Sequence, residues 1–314
     1  MNQAEQPLVS IGLPVFNGED FLENALDSIL SQTYRNIEVI VCDNASTDRT
    51  ESIIASYAQN DERIKYSRHD ENLGAALNYN STFELSKGKY FKWAAHDDVM
   101  HENYIEQCVN ALENDNSISL VQSLSGQIDE HGTITSHQYT SHKDIIPANA
   151  SHCSQYRVLM QDRGAWIRIF GLIRSSVLKN TPLIDNYIGS DLTLLGELGL
   201  NGKVKDLDTV MFWRREHEHT STRGEHKARR KRLAWFDTKK KGIRLSFPEW
   251  KLTSEIFRSI TRQHISFSNK LYCYKIVIGR MWIKKRLLAQ DLFYALTDCL
   301  QFVNFRGQTK SKPS

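Results

Sequence analysis

The sequence lacks any apolar run approaching the roughly 20 residues needed to span a bilayer, and its first residues, MNQAEQPLVS, have neither the basic nor the apolar part of a signal peptide. The expectation is a protein made and kept inside the cell. Cysteine is scarce: Cys42, Cys108, Cys153, Cys273 and Cys299 are an odd number without a CxxC pair, which excludes a disulfide framework or a zinc knot. These cysteines read instead as small buried hydrophobes. Phosphate loops of the GxGxxG or GxxxxGK type are absent, so a dinucleotide enzyme or a P-loop NTPase is a poor competitor. His131, His137, His142 and His152 lack metal-ligand spacing and carry no assigned role.

What is present divides by charge. The net charge of +3 hides 22 Lys and Arg against 6 Asp and Glu from Arg223 onward, leaving 18 against 31 before it. An acidic body is joined to a basic extension. With 314 residues and 40% hydrophobic content, the chain can bury a full core.

The body alternates strands and helices. Leu8 to Pro14 is a short apolar strand, and Asn17 is placed to cap a helix carrying Phe21, Leu22, Ala25, Leu26, Ile29 and Leu30. Ile37 to Cys42 is a strand apolar nearly throughout, ending at Asp43, and a helix runs on through about Ala58. Ile64 to Ser67 is a third strand, and Asn72-Leu-Gly74 opens the next helix. The alternation predicts a mostly parallel sheet with right-handed crossovers.

That alternation leads to KYFKWAAHDD, Lys89 to Asp98, an aromatic strand ending in two adjacent carboxylates. In open α/β sheets, ligands bind outside the carboxyl ends of the strands. Two neighbouring carboxylates repel unless a cation or hydrogen-bond donors intervene, so a divalent metal bridging to phosphate is one reading. The other is that Asp97 or Asp98 caps the helix beginning near His101.

Further on, the chain predicts a helix from about Asn103 to Glu113, a strand from Ser119 to Leu124, and a polar hairpin or loop from Gln127 to Ala150. A strand follows at Ile169 to Arg174, a packed helix after Asp191, and a final strand from Val204 to Trp213 with a polar turn inside it. In the basic extension, HKARRKR and TKKKGIR are interleaved with Trp235, Phe236, Phe247 and Trp250, and Met281 to Val303 reads as a helix with Leu288, Leu292 and Leu296 on one face. Basic residues beside amphipathic segments suit an anionic membrane surface; nucleic acid is disfavoured by the acidic body and the absence of a binding motif. A plain packing extension with a solvated basic face is the alternative.

Three stretches in order, VSIGLPVFNGEDFLENALDSILSQTYRNIEVIVCDNASTD, NLGAALNYN and KGKYFKWAAHDD, resemble the nucleotide-sugar half of the family 2 glycosyltransferases with the GT-A fold, over about the first 110 residues. The resemblance implies a Rossmann-like α/β domain over 1–222, with a donor half at 7–115 and an acceptor half at 116–222, followed by a basic, mainly helical extension at 223–314. It implies that Pro14, Val15, Asn17 and Asp43 line the nucleotide, with Asn72, Gly74, His96 and Asp97 completing the donor site. The family's Asp-x-Asp motif departs here: its first Asp falls on Ala95, leaving Asp97, with Asp98 beside it, for Mn²⁺ or Mg²⁺. His217, with His219 as fallback, is the match for an element that reaches the metal or the diphosphate, and Arg214 and Arg215 are candidates for the leaving phosphate. Asp191 falls on the family's catalytic base, with Ser190 where Glu is common; without the resemblance, Asp191 reads as a first-turn acid of its helix. The implied activity is inverting transfer from a nucleotide sugar, expected to be a UDP-sugar, to a saccharide or lipid-linked saccharide. The competing class is a GT-A scaffold that has lost catalysis. Oligomeric state is not readable.

Overall fold

In the computed structural model, the described residues are 6–136, 146–147, 149–161, 164–218, 220 and 247–309. The basic clusters at 226–232 and 238–244, and His219, lie outside them. The first half forms β1 (Val9–Val15), α1 (Leu22–Leu30), β2 (Ile37–Asp43), α2 (Thr50–Asn60), β3 (Ile64–Arg68), α3 (Ala75–Glu84) and β4 (Tyr90–Trp93). β5 (Val99–Met100), α4 (Tyr104–Asn114), β6 (Ile118–Ile128) and β7 (Ile134–Ser136) follow. Next come α5 (His152–Gln161), a 3₁₀ turn (Ala165–Phe170), β8 (Leu172–Arg174), α6 (Ser175–Leu178), α7 (Ser190–Asn201) and β9 (Lys203–Arg215). Beyond the basic clusters lie α8 (Pro248–Arg262), α9 (Phe267–Ile283) and α10 (Lys285–Thr309).

The strands join one sheet in the order β3-β2-β1-β4-β8-β6-β9-β5, with β7 on β6. β1, β2 and β4 are buried along their whole length, which is why their sequences are apolar nearly throughout. The pairs β3/β2, β2/β1 and β1/β4 are parallel as expected. The second half is mixed: β8 is antiparallel to both β4 and β6, whereas β6 and β9 run parallel. Short β8 enters from a 3₁₀ turn rather than a helical crossover, which allows the reversed direction.

Several local expectations are corrected. Asn17 does not cap α1, whose N-cap position is Phe21; it turns the chain at φ 50° and donates its backbone N–H to Ser46 Oγ, a left-handed conformation that Asn tolerates. Neither Asp97 nor Asp98 caps α4, because β5 intervenes and Asn103 takes that position. The predicted strand at Ile169 to Arg174 is half 3₁₀ turn, broken at Gly171, where a Cβ would meet the Val121 carbonyl oxygen at 2.7 Å. The polar turn inside the last strand is a bulge: β6 advances from Gln122 to Leu124 while β9 advances from Asp206 to Val210. The helix expected from Met281 is two helices meeting at Lys284, and of its three leucines only Leu288 is buried.

Buried polar groups tie β4, the 3₁₀ turn and β9 together. Arg168 meets Asp206 through two hydrogen bonds of 3.0 and 2.9 Å. Lys92, fully buried in β4, donates to the Phe170 carbonyl and lies 4.9 and 5.1 Å from the ring centres of Tyr104 and Phe212.

Candidate active site

The parallel strands deliver their carboxyl ends to one edge, and three loops assemble there. β1 ends at Val15 opposite Asp43 of β2. Pro14, one residue back and opposite Cys42, closes the strand beside this edge. The Asp43 carboxylate is buried; it accepts from Ser46 N–H at 2.9 Å and Tyr66 O–H at 3.1 Å, and pairs with Arg68 Nε at 3.3 Å. Asn17 Oδ1 accepts from Thr47 N–H at 2.9 Å, fastening the first loop to the second. Asn44 fastens the second to the third, donating to Asn72 Oδ1 at 3.0 Å and accepting Leu73 N–H at 2.8 Å. Asn72 Oδ1 also accepts Gly74 N–H at 2.9 Å, and Gly74, at φ 87°, starts α3 in a conformation open to glycine.

Asn78 was not singled out in the sequence. Its side chain donates to Val15 O at 3.3 Å, while its buried Oδ1 has no hydrogen-bond partner among the described residues. An unsatisfied buried acceptor is costly.

The β4 ladder continues through Ala94 N–H to Gly12 O at 2.8 Å, then breaks into Ala95, His96, Asp97 and Asp98. His96 lies against the first loop, where a Cβ on Gly18 would meet its ring at 2.9 Å. β9 reaches the same place by pairing with β5, Val99 opposite Trp213. Arg215 N–H donates to Asp98 Oδ1 at 2.9 Å, and His217 Nε2 stands 3.0 Å from Asp97 Oδ2. The Arg215 guanidinium is not a phosphate fork: it donates to the carbonyls of Asp97 at 2.9 Å, Asp129 at 3.0 Å and Glu130 at 3.3 Å, over the Phe21 ring. Phe21 also packs on His217, ring centres 4.6 Å apart. Arg214 sits over Trp166, 5.0 Å from its ring centre, and pairs with Glu216 at 3.5 Å.

Electrostatics push the two carboxylates apart. Burial drives Asp98 well above the usual carboxylate range and the neighbouring Asp97 charge adds to it. For Asp97 burial acts in the same direction, but the His217 hydrogen bond and the charges of His96 and His217 outweigh it and hold the carboxyl low. Asp97 is therefore the more acidic of the two.

Asp191 enters from the other side. It sits in the first turn of α7, its Oδ1 accepting Leu192 N–H at 2.9 Å. The loop before it is held to α3 by Asn80, whose side chain donates to Ile184 O at 2.8 Å and accepts Ile184 N–H at 3.1 Å. On the same helix, the Tyr79 phenol has a raised pKa from burial first, then from the charges of Asp97, Asp98 and Asp191 together. Tyr79 thus feels charge from two separate parts of the chain, the Asp97-Asp98 pair after β4 and Asp191 on α7.

Asp97 and His217 offer a carboxylate oxygen and an imidazole nitrogen in contact, a donor set that suits Mn²⁺, and Mg²⁺ through the carboxylate. No group of three or more His, Cys, Asp or Glu is placed to hold a metal among the described residues. A cation here would take its remaining ligands from diphosphate oxygens and water.

Residues 10–174 match the family model described as Glycosyl transferase family 2. A protein of Rickettsia felis named uncharacterized glycosyltransferase is 40% identical over 153 residues, covering 47% of this chain and 24% of its own length. The chain therefore spans about a quarter of that relative. Among solved structures, S. aureus TarS 1-349 in complex with UDP-GlcNAc superposes with a TM-score of 0.65 at 15% identity, over 92% of this chain and 81% of that one. The mannosyltransferase PcManGT from Pyrobaculum calidifontis, in complex with GDP-Man and Mn²⁺, gives 0.53 at 15% identity, over 99% and 83%. At these identities the likeness establishes the fold, which is GT-A.

Proposed function

Because the chain belongs to glycosyl transferase family 2, we propose that it moves a sugar, with inversion, from a UDP-sugar to a hydroxyl of a saccharide or lipid-linked saccharide acceptor in surface polysaccharide synthesis. The observation that carries this reading is the Asp97–His217 pair, 3.0 Å apart just beyond the end of β4 at the carboxyl edge of the sheet. The nucleotide is assigned to the three stitched loops, with Asp43 and Asn17 lining its base and ribose. The UDP and UDP-GlcNAc complexes of TarS support uridine.

Asp97 and His217, with Asp98 behind them, would hold the cation. When bound, it neutralises charge developing on the leaving diphosphate. Asp191 takes the proton of the acceptor hydroxyl as that oxygen bonds to the anomeric carbon, and the bond from that carbon to the diphosphate oxygen breaks on the opposite face. One displacement from the opposite face inverts the anomeric centre. Asn80 holds the loop that aims Asp191, and Arg215 holds the backbone that aims Asp97. A site at the cytoplasmic face of the membrane, peripherally bound, fits a lipid-linked acceptor.

Calorimetry with UDP, with and without Mn²⁺, tests the donor assignment. Binding strengthened at least about tenfold by Mn²⁺, and no longer so in Asp97→Asn, is the expected result. No UDP binding in either condition overturns it. A panel of nucleotide sugars scored by thermal stabilisation then identifies the donor, since a ligand of the folded state alone raises the melting temperature.

A further inference from the structure

The elbow between α9 and α10 leaves large apolar side chains uncovered. On α9, Phe267 (75% exposed), Leu271, Ile278 and Trp282 (72%) stand in solvent. At about 100° per residue their spacings of 4, 7 and 4 place all four within an arc of about 60°. The opposite side of the helix buries Cys273, Ile276 and Val277 in the main core, so the exposed stripe is held rigidly outward. After the break at Lys284, α10 continues with Leu292, Phe293 and Leu296 exposed on one side and Leu288, Asp291 and Ala295 buried on the other.

The charge around this stripe has one sign. Between residues 267 and 297 stand Lys270, Lys275, Lys284, Lys285 and Arg286, with Arg280 turned inward 3.9 Å from Glu249, against a single acid, Asp291. That acid faces inward, accepting Glu249 N–H at 2.7 Å, and so does not offset the outer surface. Lys285 Nζ lies 4.3 Å from the Trp282 ring centre, a cation directly beside an exposed indole. Protein interfaces deplete lysine from their apolar centres; lysines flanking Trp and aliphatic side chains match the headgroup boundary of an anionic bilayer. No helix among the described residues is long and apolar enough to cross a membrane.

We propose that the α9–α10 elbow docks on an anionic lipid surface, with Phe267, Leu271, Ile278 and Trp282 entering the headgroup region and Lys275, Lys285 and Arg286 meeting lipid phosphates. This deepens the peripheral location proposed above and assigns it to the elbow rather than to the basic clusters before α8. It shares with that reading the location but none of the chemistry, so vesicle binding is read without donor or metal. Its failure leaves the transferase assignment standing, and failure of UDP binding leaves the docking result intact.

The test is co-flotation of the full chain with vesicles of phosphatidylcholine alone and of phosphatidylcholine with about one third phosphatidylglycerol, a content at which polybasic surfaces bind. Binding to the anionic vesicles only, weakened at least about tenfold by Phe267→Ser with Trp282→Ser and again by Lys285→Glu with Arg286→Glu, is expected. Unchanged melting temperatures show that both variants fold. Equal binding to the two vesicle types, or anionic binding that neither pair weakens, overturns the proposal. So does a concentration-dependent dimer in sedimentation that the Ser pair dissolves without any vesicle binding, since the stripe would then serve self-association.

Discussion

Replacing Lys92 with Met removes a buried amine from the strand that carries the active-site aspartates, and its effect on stability has a definite dependence on pH. Burial lowers the Lys92 pKa from 10.5 to about 7, against the smaller opposing influence of Cys108 and Asp98. In the unfolded chain the amine stays protonated up to about pH 10.4, whereas in the fold it is neutral above about 7. Between these limits folding releases a proton, so raising the pH stabilises the native state by up to about 1.4 kcal/mol per unit. Below about 7 the folded amine is protonated too, and the dependence flattens. With these two pKa values, the wild-type protein gains about 2 kcal/mol relative to Lys92→Met between pH 6.5 and 8.5. Urea unfolding followed by tryptophan fluorescence, across that range for both proteins, measures the difference directly. Taking the difference cancels the titration of other groups. A gap between the two curves that stays constant, or that moves against the wild type as pH rises, refutes a neutral buried Lys92.

Asp191→Asn is expected to lower transfer by about 10²–10⁴-fold while UDP affinity changes less than about twofold, because a general base acts on the acceptor and not on the nucleotide; equal loss of both in kinetics and calorimetry would remove the base assignment. Arg215→Lys keeps the charge but loses the fork that holds three carbonyls. It should cost about 1–3 kcal/mol in urea unfolding and weaken Mn²⁺ binding measured by titration, since the Asp97 backbone is freed. Asn80→Ala breaks both links to Ile184; kcat should fall with UDP affinity nearly unchanged, and a stability loss of about 1–3 kcal/mol without a change in kcat would make Asn80 merely structural.

The sequence by itself determined the parallel part of the sheet. Strands buried on both faces are apolar nearly throughout, so β1, β2 and β4 announced themselves, and with them the sheet edge where Val15, Asp43 and Asp97 emerge. The family resemblance was legible because three stretches holding Asn17, Asn72 with Gly74, and Asp97 follow one another in order. The structure alone decided which carboxyl of the pair is held low and which is driven up. That choice depends on contacts across more than a hundred residues: Asp97 meets His217, and Asp98 meets the Arg215 backbone, only because β9 pairs with two-residue β5. It also moved Arg215 from phosphate ligand to backbone clamp, a distinction that composition cannot express since both uses call for a guanidinium. Tyr79, Asn78 and Asn80 lay in the NLGAALNYN stretch, but successive side chains on a helix face three directions, and which one met β1, the carboxylates or the Ile184 loop was set by where α3 packs. The stripe on α9 was a finding of the fold alone, which showed Phe267 and Trp282 on a face left uncovered.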